Sequence, residues 1–373
     1  MDNHNKFREE FSQFCKKNIA PFAKSNDEDE KLDESIIRSM AYAGYLGSMI
    51  SSDYGGKGYS SETIGILNEE IGRVCSSTRS LLTVHGMVAI AISKWGTEAQ
   101  KEYWLPKLAE GKKIGAFALT EAEAGSDAGS LKSTAVEENN FYILNGKKKW
   151  ITMGQIADIF LVFAKINESV TAFLVPRNTE GLTVTPMKGI IGVRGSMLAE
   201  IEFHNCTIPK DNIIGKQGFG LNHVGLFSLD YGRYTIACGC VGLAQACLDE
   251  CLGYVKSRVQ FKVKISSHQL VQKMITEMVV GIKSARLLCY NAGKLRDNGD
   301  PDSIIETWCA KYNASKMVND VSSKAVQLFG AKGLSKDYNI ERYFRDARVN
   351  EIIEGTSEIH ESLIARNLIR EWV

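Results

Sequence analysis

The side chains best suited to chemistry are one glutamate, one acid–arginine pair and a few isolated histidines. Glu354 stands in Ile352-Ile-Glu-Gly-Thr-Ser-Glu-Ile359. By position alone it reads as an acid at the N-terminus of a helix starting near Thr356, where it would favour the helix dipole. Asp230 and Arg233 are spaced for an i, i+3 ion pair on a helix. Ser126, in Gly-Ser-Asp, reads as a turn residue or a ligand contact. His85, His204 and His223 lack metal-ligand spacing, so no metal is expected. The loop Asp53-Tyr-Gly-Gly-Lys-Gly-Tyr59 lacks the spacing of a phosphate-binding loop and reads as a turn.

Composition narrows the classes. Lys+Arg is 45 and Asp+Glu 44, a net charge of +1. Such a balance offers no field for nucleic acid or an anionic membrane. No signal-like N-terminus and no run of about 20 apolar residues is visible, which leads to the expectation of a cytoplasmic protein. The nine cysteines form no CxxC pair and read as buried, reduced thiols.

Three segments position the candidate residues. Residues 1–115 read as helical, with apolar spacing over 31–40 and a helix capped by Ser60 or Ser61 running through Arg73. Residues 116–220 carry short β-rich runs at 141–144, 159–164, 170–175, 182–185 and 199–203. Asn145-Gly146 reads as a hairpin turn. Residues 221–373 return to helical periodicity, with helices expected near 229–258, 267–297, 301–330 and 356–371. The small residues of 237–246 suit a central helix closely approached by its neighbours. The fold class is therefore α+β: a helical N-terminal domain, a middle antiparallel β-barrel domain and a C-terminal four-helix bundle.

Four blocks in order carry a family resemblance. They are Ala118-Leu-Thr-Glu-Ala-Glu-Ala-Gly-Ser-Asp-Ala128 and Asn145-Gly-Lys-Lys-Lys-Trp-Ile-Thr152; Leu229-Asp-Tyr-Gly-Arg233 with Arg258-Val-Gln-Phe261; and Gln327-Leu-Phe-Gly-Ala331 with Glu341–Asp346 and Ile352–Ile359. Together they resemble the acyl-CoA dehydrogenases over almost the whole chain. The resemblance implies FAD and a homodimer or homotetramer. It implies flavin contacts from Phe117, Leu119, Thr120, Gly125, Ser126, Trp150, Ile151 and Thr152. It places Arg258, Gln260, Phe261, His268 and Gln269 at the pyrophosphate and adenine side. Gln327, Leu328, Gly330 and Ala331 would act across a subunit contact, and Thr356 and Glu358 would complete the cofactor site. It makes Glu354 the catalytic base; the alternative family position is Gly232, which cannot serve. Ser126, Asp230, Tyr231, Arg233 and Gly355 would face the substrate.

Three stretches resemble a narrower branch: Val74–Leu81, Tyr231–Gly242 and Arg345–Gly355. They look like dehydrogenases that make hydroxymalonyl-, methoxymalonyl- or aminomalonyl-type polyketide extender units on an acyl carrier protein. The expected substrate is then a short acyl thioester on a carrier protein, with an oxidised carbon that bears oxygen or nitrogen. A catabolic short- or branched-chain acyl-CoA dehydrogenase is the alternative, and a non-catalytic scaffold the alternative of another class. The electron acceptor is not given by these motifs.

Overall fold

The structure is a computed structural model that describes residues 2–371. Six helices come first: α1 (Asp2–Asn18), α2 (Ala23–Glu28), α3 (Glu34–Ala43), α4 (Ser61–Val74), α5 (Ser76–Trp95) and α6 (Glu98–Ala109). Their starts follow capping chemistry. Asp33 accepts the Ser35 amide at the head of α3, and Ser60 accepts the Thr63 amide at the head of α4.

Strands follow: β1 (Gly115–Ala118), β2 (Thr134–Glu138), β3 (Phe141–Ile151), β4 (Ile159–Ile166), β5 (Ser169–Pro176), β6 (Leu182–Pro186), β7 (Ala199–Pro209) and β8 (Ile213–Ile214). The order is β6-β7-β3-β2-β4-β5-β8. Most pairings are antiparallel, but β4 takes parallel partners on one edge. There β1 pairs with Ile159–Val162 and β2 with Lys165, end to end. The chain between them, 119–133, therefore leaves the sheet as a long loop, and it carries the Thr120–Ser126 motif. Alternate residues of β4 are buried on both faces: Ile159, Leu161 and Phe163 toward α5 and α6, Phe160 and Val162 into the sheet's own core.

Asn145-Gly146 is not a turn. Both residues lie inside β3, where the ladder to β7 shifts register between Leu144 and Gly146. Gly146 has φ +145 and packs its α-carbon on Ser133, so the glycine serves a bulge. The turn sits earlier, at Asn139-Asn140 between β2 and β3, with Asn139 at φ 48.

The C-terminal part holds α7 (Leu226–Ser257), the short hairpin β9 (Val259–Gln260) and β10 (Val263–Lys264), α8 (Gln269–Asp297), α9 (Ser303–Phe329), α10 (Ile340–Val349) and α11 (Ser357–Glu371). α7 lies at the centre, packed on α4, α5, α8 and α9. The stretch Gly220–Ser257 is long and apolar enough to cross a bilayer, with mean hydropathy 1.3, yet 72% of its most apolar window is buried inside the protein. Eight cysteines are buried and Cys309 is half-buried; none forms a disulfide among the described residues.

Candidate active site

Glu354 lies in the turn between α10 and α11, not on an exposed helix end. It adopts φ 55 and is followed by Gly355 at φ 94. A left-handed glutamate costs on the order of 1 kcal/mol and persists only where neighbours impose it. Two buried cations do so. Arg233 Nε, from α7, donates to the Glu354 carbonyl at 3.0 Å. Lys311 Nζ, from α9, donates to the Gly355 carbonyl at 2.6 Å. Gly355 also leaves room for His360, whose Cε1 would lie 3.0 Å from an added Cβ. The His360 ring is fixed by the Thr356 carbonyl at 2.9 Å, and burial brings its pKa down to about 4.

The turn aims the carboxylate inward. Oε2 of Glu354 is buried and has no hydrogen-bond partner among the described residues. It faces the α-carbon of Gly232: a Cβ there would stand 2.6 Å from Oε2 and 3.0 Å from Met87 Sδ. Burial pushes the carboxyl up to about 7, against the pull of Arg233, Lys311 and Arg79.

Asp230 and Arg233 do not pair with each other. Asp230 makes an ion pair with Arg296 of α8, whose guanidinium also lies 5.3 Å over the Tyr234 ring. The helix presents the two side chains to different neighbours, and each finds a fixed partner there. Tyr231 is buried against Gly86, where an added Cβ would meet its hydroxyl at 2.5 Å.

The loop carrying Thr120–Ser126 is pinned from beneath by residues outside the expected site. Glu121 accepts from Ser133 Oγ at 2.6 Å, the Ser133 amide at 3.0 Å and the Lys132 amide at 2.6 Å. Lys148 Nζ, fully buried, reaches Glu121 at 2.7 Å and the Leu119 carbonyl at 3.1 Å. Burial would raise the Glu121 pKa, but Lys148 and these hydrogen bonds hold it below the usual range. Burial draws Lys148 down to about 8 against the same partner. The Lys149 amide bonds the Thr120 carbonyl at 2.9 Å, tying the loop to β3 beside Trp150. Trp150 is 49% exposed at φ 63, at the second register shift of β3. Leu119 and Ile151 are buried, Phe117, Thr120 and Thr152 half-buried, and Gly125 and Ser126 exposed. The Trp150 ring and the Thr120 hydroxyl lie on the strand and on the loop tied to it, groups that suit a flavin ring.

A second group gathers at the other end of the bundle. Phe261 and Lys262, at φ 51 and 66, form the two-residue loop of the β9–β10 hairpin. Phe261 is 90% exposed, with His268 set edge-on at 6.2 Å. Arg258, Gln260 and Gln269 are exposed nearby in sequence. Gln327–Ala331 ends α9 at this same end, where Phe329 stacks on Tyr254 at 4.2 Å. Leu328 is buried; Gln327, Gly330 and Ala331 are exposed. An exposed arginine, glutamine and aromatic suit a pyrophosphate and a purine face. Arg233 and the end of α7 are about 36 Å apart along the helix at 1.5 Å per residue. Within one chain this group is remote from Glu354. Thr356 heads α11 beside Glu354, and Glu358 is exposed in its first turn.

Lys311, Glu121 and Lys148 went unread in the sequence. Lys311 carries a signal: it falls on the stripe Thr307, Ala310, Ala314, Val318 and Val321, which is otherwise uncharged and is buried throughout. Lys148 is the middle of Lys147-Lys-Lys149, and nothing in that run singles out its one fully buried member.

The chain matches three family models. They are the acyl-CoA dehydrogenase N-terminal domain over residues 1–112, the middle domain over 116–206 and the C-terminal domain over 219–369. It is 36% identical over 369 residues to a short-chain specific acyl-CoA dehydrogenase of Clostridium acetobutylicum, covering 97% of both chains. Among solved structures it resembles the prolyl acyl carrier protein oxidase AnaB, with TM-score 0.95, 29% identity and 99% of both chains covered. It also resembles FkbI, described for biosynthesis of the methoxymalonyl extender unit of the FK520 polyketide. That likeness has TM-score 0.87 and 27% identity, covering 94% of this chain and 96% of the other.

Proposed function

The chain belongs to the acyl-CoA dehydrogenase family, FAD-dependent oxidoreductases acting on CH–CH bonds, and within it we propose a dehydrogenase of short acyl thioesters carried on an acyl carrier protein, with Glu354 as the base. The Glu354 carboxylate, whose Oε2 is buried with no hydrogen-bond partner among the described residues, carries the catalytic part of this reading. FAD, when bound, supplies the two-electron acceptor. Phe117, Leu119, Thr120, Gly125, Ser126, Trp150, Ile151 and Thr152 would hold its ring, with Thr356 and Glu358 at the edge. Arg258, Gln260, Phe261, His268, Gln269 and the Gln327–Ala331 segment would hold the pyrophosphate and adenine of a cofactor shared with a second chain. Their remoteness from Glu354 within one chain supports a homodimer or homotetramer.

Removing a proton next to a thioester carbonyl needs a base whose pKa lies near the working pH. Burial places Glu354 there. Arg233 and Lys311 hold its backbone turn, so the carboxylate enters the site already oriented. Asp230, locked to Arg296, and buried Tyr231 would line the path of the acyl arm.

The carrier protein is supported by the likeness to AnaB and FkbI and by the stretches 74–81, 231–242 and 345–355. The 36% identity to the Clostridium acetobutylicum enzyme favours a second reading, a short-chain acyl-CoA substrate. Offering the same acyl groups on CoA and on a carrier protein separates them. A carrier preference of tenfold or more in kcat/KM supports the proposal; equal or better rates on CoA overturn it.

A further inference from the structure

The loop between β6 and β7, residues 187–198, holds backbone that its residues rarely adopt. Val193 has φ 54 and Met197 φ 48. A β-branched residue is disfavoured in the left-handed region and persists there only where the surroundings impose it. The imposing group comes from α10. Asp346 Oδ1 accepts the Val193 amide at 2.5 Å. Val193 is 3% exposed and Asp346 4%. Gly192 brings the loop flat onto the same helix, since a Cβ there would stand 2.2 Å from the Arg345 carbonyl oxygen.

Asp346 is not engaged in an ion pair. No cation lies within ion-pair distance of it among the described residues, and neighbouring Arg345 is taken by Asp27 and Glu341. Burial pushes its pKa up to about 6, against the pull of Arg342, the Val193 amide and Arg345. A carboxylate buried in this way is costly, so its single backbone contact reads as a constraint on the loop.

The constraint runs two ways. Toward the sheet, the Ser196 amide donates to the Val193 carbonyl at 3.0 Å, and the Ser196 carbonyl accepts the Met153 amide at 2.9 Å. Gln155 Nε2 donates to the Leu198 carbonyl at 2.8 Å. Trp150 and Met153 are themselves left-handed, at φ 63 and 58. The segment that would hold the flavin ring thus rests on the loop that Asp346 pins. Toward the base, Asn350 Nδ2 donates to the Asp346 carbonyl at 3.0 Å. The Val349 carbonyl then accepts the Ile352 and Ile353 amides at 3.0 and 3.2 Å, and Glu354 follows directly. Glu30 holds the outer side of the loop through the Gly189 amide at 2.8 Å and Arg194 at 2.6 Å. Asp346 is the tie on the side of the base.

We propose that Asp346 is a positioning residue: through Val193 it fixes the Trp150–Met153 edge of the flavin site to the helix that leads into Glu354, and so sets the separation of base and flavin. This deepens, and rests on, the reading of the chain as a flavin-dependent dehydrogenase with Glu354 as base. A misplacement of about 1 Å between reacting groups is enough to slow a reaction on the order of 100-fold.

The test compares Asp346→Leu, which removes the acceptor, with Asp346→Asn, which keeps one oxygen there. A short acyl thioester is offered anaerobically on whichever carrier the wild type prefers. Flavin reduction in Asp346→Leu should slow about 10- to 100-fold per bound flavin, with KM little changed. Asp346→Asn should stay near wild type. Adding Val193→Gly to Asp346→Leu should regain part of the rate, because glycine adopts φ 54 without penalty. Hydrogen–deuterium exchange of the full chain, both FAD-loaded and flavin-stripped, gives a second readout. Asp346→Leu should speed exchange at 150–157 and 193–198 and leave β4 and β5 unchanged. An unchanged reduction rate per bound flavin, a rate loss that only follows lost flavin, or unchanged exchange at 150–157 overturns the inference. If Asp346→Leu does not fold, Gly192→Ala decides, since its Cβ drives the loop off α10. Slow reduction with fast exchange then supports the tie, and wild-type values overturn it. A wild type that no acyl thioester reduces refutes the underlying reading of the reaction; a wild type that is reduced, with Asp346→Leu equally fast, removes only the role of Asp346.

Discussion

The carboxylate of Glu354 and the α-carbon of Gly232 share one space, since a Cβ at 232 would stand 2.6 Å from Glu354 Oε2. A glutamate placed on α7 at this position could therefore present its carboxylate to the same volume from the opposite wall. The double variant Gly232→Glu, Glu354→Gly should regain a measurable fraction of the turnover that Glu354→Gly alone loses. The single variant Gly232→Ala should displace the carboxylate and lower kcat by about 10- to 100-fold, with flavin content retained. Steady-state rates normalised to bound flavin check both.

Glu354 also links stability to pH. Its folded pKa, about 7, lies above its ordinary value of 4.5. A group raised in this way binds its proton more tightly when folded. Its favourable contribution is complete below pH 4.5 and is lost as pH rises through 7. Glu354→Gln should therefore be more stable than wild type at pH 8, by up to about 3 kcal/mol, and near parity at pH 5. Thermal unfolding of both proteins across this range reads the difference.

Lys311 bonds the Gly355 carbonyl and lowers the pKa of Glu354. Lys311→Met removes both effects. The acid limb of kcat/KM should move to higher pH, and kcat should fall about tenfold or more as the turn loosens. A profile that keeps its inflection, with only the amplitude reduced, would mean that Lys311 serves folding alone. Charged groups facing this cluster from the other elements are Arg233, Arg79 and Glu351.

The Glu121–Lys148 pair lies under the loop that would hold the flavin ring. Removing one partner leaves the other buried and alone, at a cost of roughly 3–5 kcal/mol. Glu121→Gln should lose flavin on dilution or gel filtration while the helical domains stay folded. Far-ultraviolet circular dichroism and the absorbance ratio at flavin and protein bands measure the two properties separately.

Much of this architecture was written in local pattern. The small-residue run 237–246 marked the central helix, and β4 and β5 were visible as apolar β-branched runs. Asn145-Gly146 misled because the same φ-permissive glycine that closes a hairpin also makes a bulge, and only the partner strand decides between them. β1 and β2 were missed because they are short and divided along one edge of β4. In the site, Glu354 was legible only through its motif; its position alone described an exposed helix end. What buries it comes from Arg233, Lys311 and Gly232, 43 to 122 residues away in sequence. Asp230 and Arg233 showed the limit of spacing arguments, because each found a partner on another element. Arg79 stands inside a quoted motif, Val74–Leu81, and its near-complete burial is not legible there.

The central claim is that Glu354 takes the substrate proton. Anaerobic mixing of the FAD-loaded enzyme with a short acyl thioester, followed by flavin absorbance, tests it most directly. The wild type should bleach, with a rate that rises through an inflection near pH 7. Glu354→Gln should bind the thioester, keep its flavin and bleach slower by about 10²- to 10⁴-fold. Bleaching of the variant at near wild-type rate would contradict the account.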